Sequence, residues 1–366
     1  MYNIYAQTKF SSDCSYKFIQ LAPDLLEYVE SGGGELSIKV PDEKKHYAVL
    51  CTENKTYQLI QMNHTNTVLL SNDTSVNKMG QNVSSNQLSG EEEAKIVSFA
   101  SLSYEYEPRV TSGHINVENL PVFDGQKLSS SSTNVTVDQI LDLSPISKTE
   151  FFVEWYDLCG TEYKNQAATL SGSFVTEILS TLLTILIAEG VDYRQELEAA
   201  QIIEWMQAQN ANMTSAFIET VLHKFGICNK DIVTLDHKKI PAWFGLQALI
   251  DTHSRILTEN DFLLSWKSSL PAFYNVPIDL KQLRGNFCRP SAQEKNKIQH
   301  INPNSLSVGD LSARFKDLFS VSKEWDYDEF VPFIDKYLPV GKKPESLILK
   351  YARKRRMGKK IVVCQR

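Results

Sequence analysis

The stretch FIETVLHKFGICNKDIVTL, Phe217 to Leu235, decides how the second half of this chain reads. Phe217, Ile218, Val221, Leu222 and Phe225 recur at the three- and four-residue spacing of one helix face, Gly226 stops the helix, and Asp231 to Leu235 reads as a strand. A helix through Leu197, Ile203 and Met206 precedes it. Helix, helix, glycine stop and hairpin strand is the order in which a winged-helix module appears in sequence, with its last helix available for a DNA groove. The same periodicity also fits a generic helical domain with stray hairpins.

Two further stretches carry a similar order. Upstream, a helix from Thr136 with Val137, Ile140 and Leu141 leads through a Ser147–Glu150 capping box into a helix with Phe151, Phe152, Trp155 and Leu158, stopped at Gly160. Downstream, Leu311, Phe315, Leu318 and Phe319 mark one helix. Asp326 to Leu338 marks a second, which Pro332 delays or kinks, and Pro344 to Met357 a third, ended by Gly358. Ile361 to Gln365 then reads as a strand.

The first hundred residues differ. Thr56 to Met62 and Ser101 to Glu107 alternate along a two-residue period, and Glu35 to Val40, His46 to Thr52 and Asn66 to Ser71 add short strand-like runs. One helix is expected there, Pro23 to Glu30, with proline in its first turn and Gly32-Gly33-Gly34 at its exit. The expected class is therefore α+β: a β-rich, barrel-like domain over residues 1–127, then tandem winged-helix domains over 128–192, 193–275 and 276–366. Polar segments at Gly80 to Glu93 and Leu128 to Asn134 punctuate the chain, the second marking the domain boundary.

With 366 residues, 42% hydrophobic and 22% charged, the chain has the composition of a soluble globular protein. Met1 to Phe10 lacks the basic and apolar regions of a secretory signal, so the chain is expected to stay inside the cell. Its longest apolar run, Ile178 to Ala188, is too short to span a bilayer and reads as a buried helix. Six scattered cysteines form no CxxC pair and read as reduced, mostly buried thiols. The histidines are isolated, and no GxSxG, HExxH, P-loop or metal-spaced cluster occurs, so neither catalysis nor a metal or cofactor is expected.

The net charge of −6 hides an asymmetry. From Gly341 to Arg366 ten Lys or Arg face Glu345 alone, whereas the preceding 340 residues carry 28 basic and 43 acidic side chains. Placed on a helical wheel, Lys350, Arg353 and Lys354 share one face of the last helix, and Leu347, Ile348, Tyr351 and Ala352 lie opposite. With Lys359, Lys360 and Arg366 after it, the end forms a cationic ridge for phosphates. Arg355 projects toward the apolar side in this projection, snorkelling at most. An import signal and a solvated helix end are the competing readings of the same residues.

The blocks YKFIQLAPDLLEYVE from Tyr16, AVLCTENKTYQLIQMNHTNTVLLS from Ala48, ARFKDLFSVSKEWDYDEFVPFI from Ala313 and ILKYARKRRMGKKIVVCQR from Ile348 closely resemble the yeast-type sister chromatid cohesion family. The resemblance continues more weakly at IETVLHKFG from Ile218, IPAWFGLQAL from Ile240 and FLLSWKSSLPAFY from Phe262. It implies a nuclear, non-catalytic subunit of the alternative replication factor C clamp loader, acting on the sliding clamp PCNA. The implied partners are the large chromosome transmission fidelity subunit, a small partner subunit, the catalytic subunit of DNA polymerase epsilon, and single-stranded and duplex DNA, with no membrane. The family's basic C-terminal motif falls on Lys350, Arg353, Lys354, Arg356, Lys359, Lys360 and Arg366. Residues Tyr47 to Ser71 become the first candidates for the subunit interface. The alternative is a protein-interaction adaptor whose basic end serves import.

Overall fold

The computed structural model describes every residue except 1–2, 7–15, 41–46, 74–94, 116, 118, 130–133, 211, 291–295, 308–309, 339–341 and 359. The Gly80 to Glu93 segment and Lys359 thus lie outside the described residues. The protein is mixed α+β and falls into two compact units, one of residues 1–116 with 138–152, the other of 117–137 with 153–366.

The first unit is built on strands β1 (Asn3–Ala6), β2 (Ser37–Lys39), β3 (Ala48–Cys51), β4 (Thr56–Asp73) and β5 (Lys95–Val110), in the order β1-β5-β4-β3-β2. The sheet does not close, which corrects the barrel-like expectation. Closure needs strands of matched length to carry the stagger around, yet β2 and β3 span three and four residues beside the 18 of β4. Strand β3 pairs with β4 only from Thr56 to Leu59. From Ile60 to Asp73 that edge of β4 meets no strand among the described residues, while β5 lines its other edge.

Helix α1 (Pro23–Glu30) forms where expected, starting on Pro23, and buries Leu25 against Leu50 and Tyr57. Its exit uses Gly32 at φ +68°, and a Cβ on Gly33 would stand 2.4 Å from the Tyr28 carbonyl oxygen. The Tyr57 hydroxyl donates to Asp24 at 2.9 Å. Burial and that carboxylate push the phenol up to about 12. Helices α2 (Val137–Leu143) and α3 (Lys148–Asp157) follow the sequence reading. The Ser147–Glu150 capping box is half formed: the Glu150 N–H donates to Ser147 Oγ at 3.4 Å. The other half is taken by the sheet, since the Ser147 N–H donates to buried Thr56 Oγ1 at 2.8 Å, and that hydroxyl donates to Glu150 at 2.6 Å.

Among the described residues the second unit contains four three-stranded sheets. The first joins β6 (Val122–Phe123), β7 (Gly160–Tyr163) and β8 (Gln166–Leu170) in the order β6-β8-β7. Three fuller repeats follow, each running helix, strand, helix, third helical segment and hairpin. The first repeat is α4 (Gly172–Ala188), β9 (Glu196–Glu198), α5 (Ala199–Gln209), α6 (Ser215–Phe225), β10 (Gly226–Asn229) and β11 (Ile232–Leu235). The second is α7 (Lys239–Ile250), β12 (Leu257–Thr258), α8 (Glu259–Ser269), a 3-10 turn Leu280–Leu283, β13 (Phe287–Cys288) and β14 (Lys297–His300). The third is α9 (Leu311–Val321), β15 (Glu324–Asp326), α10 (Tyr327–Phe330) with 3-10 turns to Tyr337, α11 (Pro344–Tyr351), β16 (Arg353–Met357) and β17 (Lys360–Cys364). In all four sheets the strand that comes last in sequence lies in the middle.

Apolar burial holds the repeats together. Helix α4 is apolar nearly all round, burying eight side chains from Phe174 to Leu186, as its unbroken apolar run requires. Among the described residues no helix is long and apolar enough to cross a membrane. Phe123, Phe174 and Phe217 meet with ring centroids 4.9 to 5.6 Å apart in one core. A separate core in the third repeat gathers Phe315, Phe319, Trp325, Phe330 and Phe333. Buried Arg314 sits beside it, donating to the carbonyl of Phe333 at 2.7 Å and to those of Leu306, Ser307 and Pro303 at 3.3 to 3.4 Å.

Candidate nucleic-acid interface

The three third helical segments differ sharply. Helix α6 buries Phe217, Ile218, Thr220, Val221, Leu222 and Phe225, and Thr220 Oγ1 donates to the Gly160 carbonyl of β7 at 2.9 Å. Its outer side keeps Ser215, Glu219 and His223 exposed. The second repeat has only the 3-10 turn, with Leu280 and Leu283 buried. Helix α11 buries Ile348 alone and leaves Lys342 and Lys343 before it, and Ser346, Leu349 and Lys350 along it, exposed.

Helix α11 ends at Tyr351, not at Met357, and this overturns the wheel that grouped Lys350, Arg353 and Lys354. Ala352 is buried and extended, at φ −141° and ψ −176°, and its N–H returns to the Ile348 carbonyl at 2.7 Å. The run Arg353 to Met357 becomes a strand. A helix would stack four successive cations at repulsive three- and four-residue spacings, whereas a strand sends alternate ones to opposite faces and pairs them with the β-branched Ile361, Val362 and Val363. Gly358 opens the two-residue loop of this hairpin at φ +62°, the left-handed conformation such loops demand, rather than ending a helix.

Register assigns the faces, because directly paired residues point the same way. Lys354 lies opposite Val363, which lies opposite Trp325, and both of those are buried. Lys354 therefore turns inward: its Nζ is 3.3 Å from Glu345 and 4.7 Å from the Tyr327 ring centre. Glu345 is held below the usual carboxylate range by its own backbone N–H, Tyr327 and Lys354, and burial with that same Glu345 pushes Tyr327 up to about 12. Arg353 and Arg355 point outward. Arg355 is 62% exposed and 4.0 Å from Glu324, so its place on the apolar side is corrected. Lys360 shares that outward face and stands 3.5 Å from Asp326. Arg356 is exposed, its Nε donating to the Gly358 carbonyl at 3.3 Å.

Arg366 completes the group by donating from Nη2 to the Leu349 carbonyl at 3.3 Å near the end of α11. Lys350 reaches over the Tyr351 ring at 5.1 Å. Among the described residues no carboxylate lies within ion-pair distance of Lys350, Arg353 or Arg366. Helix end, strand start and Arg366 thus bring to one end of the third repeat three cations that no described carboxylate pairs. Elsewhere the described cysteines are free thiols; burial pushes Cys51, Cys159 and Cys228 up, and Cys288 up to about 12, which leaves them poor nucleophiles.

With this geometry in place, comparison with known proteins is decisive. Residues 16–334 match the family described as "Sister chromatid cohesion protein Dcc1". The chain belongs to the Dcc1 family. It is similar to "Sister chromatid cohesion protein DCC1" of Saccharomyces cerevisiae, 32% identical with 97% of each chain covered. It is also similar to "Probable sister chromatid cohesion protein DCC1" of Dictyostelium discoideum, 25% identical over 94% of this chain and 93% of the other. The Dcc1 match stops at Ile334, so α11 and the β16–β17 hairpin lie beyond it.

Proposed function

We propose that this Dcc1-family chain is a non-catalytic, nuclear subunit of the alternative clamp loader that acts on PCNA in DNA replication and sister chromatid cohesion. Its repeats are winged-helix modules, and the third contacts DNA. The observation that carries this reading is the cation cluster beside α11: among the described residues no carboxylate lies within ion-pair distance of Lys350, Arg353 or Arg366. A helix followed by a strand hairpin, in sheets of this strand order, is the scaffold that lays a helix in a groove and a wing along the backbone. No base-reading pair accompanies the cations, so binding is to the phosphate backbone of single-stranded and duplex DNA alike.

The long free edge of β4 supports the other half of the reading. Along the stretch from Ile60 to Asp73, alternate residues turn backbone donors and acceptors away from β5, toward strands of the large clamp-loader subunit and the small partner. The remaining repeats are left to face DNA polymerase epsilon.

The test is fluorescence anisotropy of labelled duplex and single strand across a salt series. The intact chain should lose affinity with a log–log slope of about −3 to −4 on duplex, the value for three or four neutralised phosphates. Lys350→Ala with Arg353→Ala and Arg366→Ala should flatten that slope at unchanged melting temperature. An intact chain that binds neither DNA would favour the adaptor reading, in which the same cations serve import.

A further inference from the structure

The outward face of the last sheet carries acids at one edge and bases at the other. Strand β15 contributes Glu324 and Asp326, whose alternation with buried Trp325 places both outward. The edge strand β16 contributes Arg353 and Arg355, and Lys360 stands at the end of the central strand β17. Two ion pairs cross the strip: Arg355 to Glu324 at 4.0 Å and Lys360 to Asp326 at 3.5 Å. Lys360 also borders a recess of about 440 Å³ that it shares with Asp326, Asp328 and Glu329. Asp326 is fixed in place, since its carboxylate accepts the Asp328 N–H at 3.1 Å as the cap of α10.

We propose that Glu324 and Asp326 are an internal phosphate mimic that occupies Arg355 and Lys360, confining DNA to the α11 end of the module. This rests on the DNA-contact reading above. A phosphate reaching Arg355 or Lys360 must compete with a carboxylate already within 4.0 Å and approach within the field of a second one. A phosphate reaching Lys350, Arg353 or Arg366 displaces none. The basic run is therefore not a uniform ridge: Arg355 and Lys360 are electrically offset and the α11 end is open. The two carboxylates set how many phosphates the module takes up and hence how steeply its binding responds to salt.

The full chain with Glu324→Gln and Asp326→Asn tests this, since the asparagine retains the oxygen that caps α10. Freeing two cations should steepen the duplex salt slope by about 2 and raise affinity about tenfold at low salt. The distant exposed pair Glu204→Gln with Glu219→Gln changes net charge equally and should leave binding as it was. In the otherwise unaltered chain, Arg355→Ala with Lys360→Ala should change affinity less than twofold. The proposal is overturned by an unchanged slope in the carboxylate variant, by an equal gain in the distant pair, or by a tenfold loss in Arg355→Ala with Lys360→Ala. An unaltered chain that binds duplex alongside any of those results leaves the DNA-contact reading standing. Binding by no variant removes both.

Discussion

Helices α6 and α11 hold the same place in the first and third repeats, and they differ in how much of each is buried. Six buried side chains and a hydroxyl bonded to β7 commit α6 to the core, whereas α11 buries Ile348, rests Leu347 and Tyr351 half-buried against the core and leaves Ser346, Leu349 and Lys350 exposed. The sequence difference behind this is small: FIETVLHKF supplies apolar side chains on two faces, and PESLILKY on little more than one. A shared topology therefore does not carry a shared role. What a neighbouring segment covers decides whether a helix is structure or surface.

The largest test of that comparison is truncation of one apolar side chain from each helix. Phe217→Ala in α6 should cost about 3–5 kcal/mol, as removal of a fully buried aromatic does, and Leu349→Ala in α11 within about 0.5 kcal/mol, as at exposed sites generally. Urea unfolding of both variants measures it, and a Leu349→Ala cost above about 2 kcal/mol would mean that α11 is covered too.

Arginines sharpen the contrast within the third repeat. Arg314→Met leaves two buried and two half-buried carbonyls without their donor and should lose about 2–4 kcal/mol. Arg353→Met should leave unfolding nearly unchanged and appear only in DNA titrations. Equal thermal shifts would show that the outward cations are structural.

The smallest expected effect is alkaline. Tyr57 in the first unit and Tyr327 in the third repeat both keep their protons to about pH 12, against an ordinary phenol value of about 10. A raised folded value stabilises below the unfolded pKa and is lost as pH rises through the folded one, so both regions should weaken between about pH 10 and 12. Tyr57→Phe should remove that dependence from the first unit while Tyr327 still reports it in the third repeat, read by melting curves at successive pH values. Curves that respond identically would mean the two regions unfold as one.

Much of this architecture was legible in the sequence. The apolar spacing of Phe217 to Phe225, the Pro23 start with its glycine exit, and the all-apolar run of α4 each allow one solution. What escaped was set by pairing across distance. Strands β9, β12 and β15 are two or three residues long and carry no period of their own, so the recurring sheet order had no local signal. The run RKRR is equally polar on every face, and its conformation is imposed by Gly358 and the Ile361 to Val363 segment that pairs with it. The identities of the cations were therefore readable while their directions were not. Lys354 turned inward to Glu345 and Arg355 outward, the reverse of what a helical wheel gives.

The sheet order has a consequence in time. Because the middle strand of each small sheet is the last in sequence, a ribosome delivers both outer strands first and leaves them without a partner. β9 waits for β11 across the whole of α5, α6 and β10, and β15 waits for β17 across α10, α11 and β16. Each repeat therefore has no folded half: it closes as its final strand emerges, one after another along the chain, and a pause in translation just before such a strand would hold a nearly complete module open.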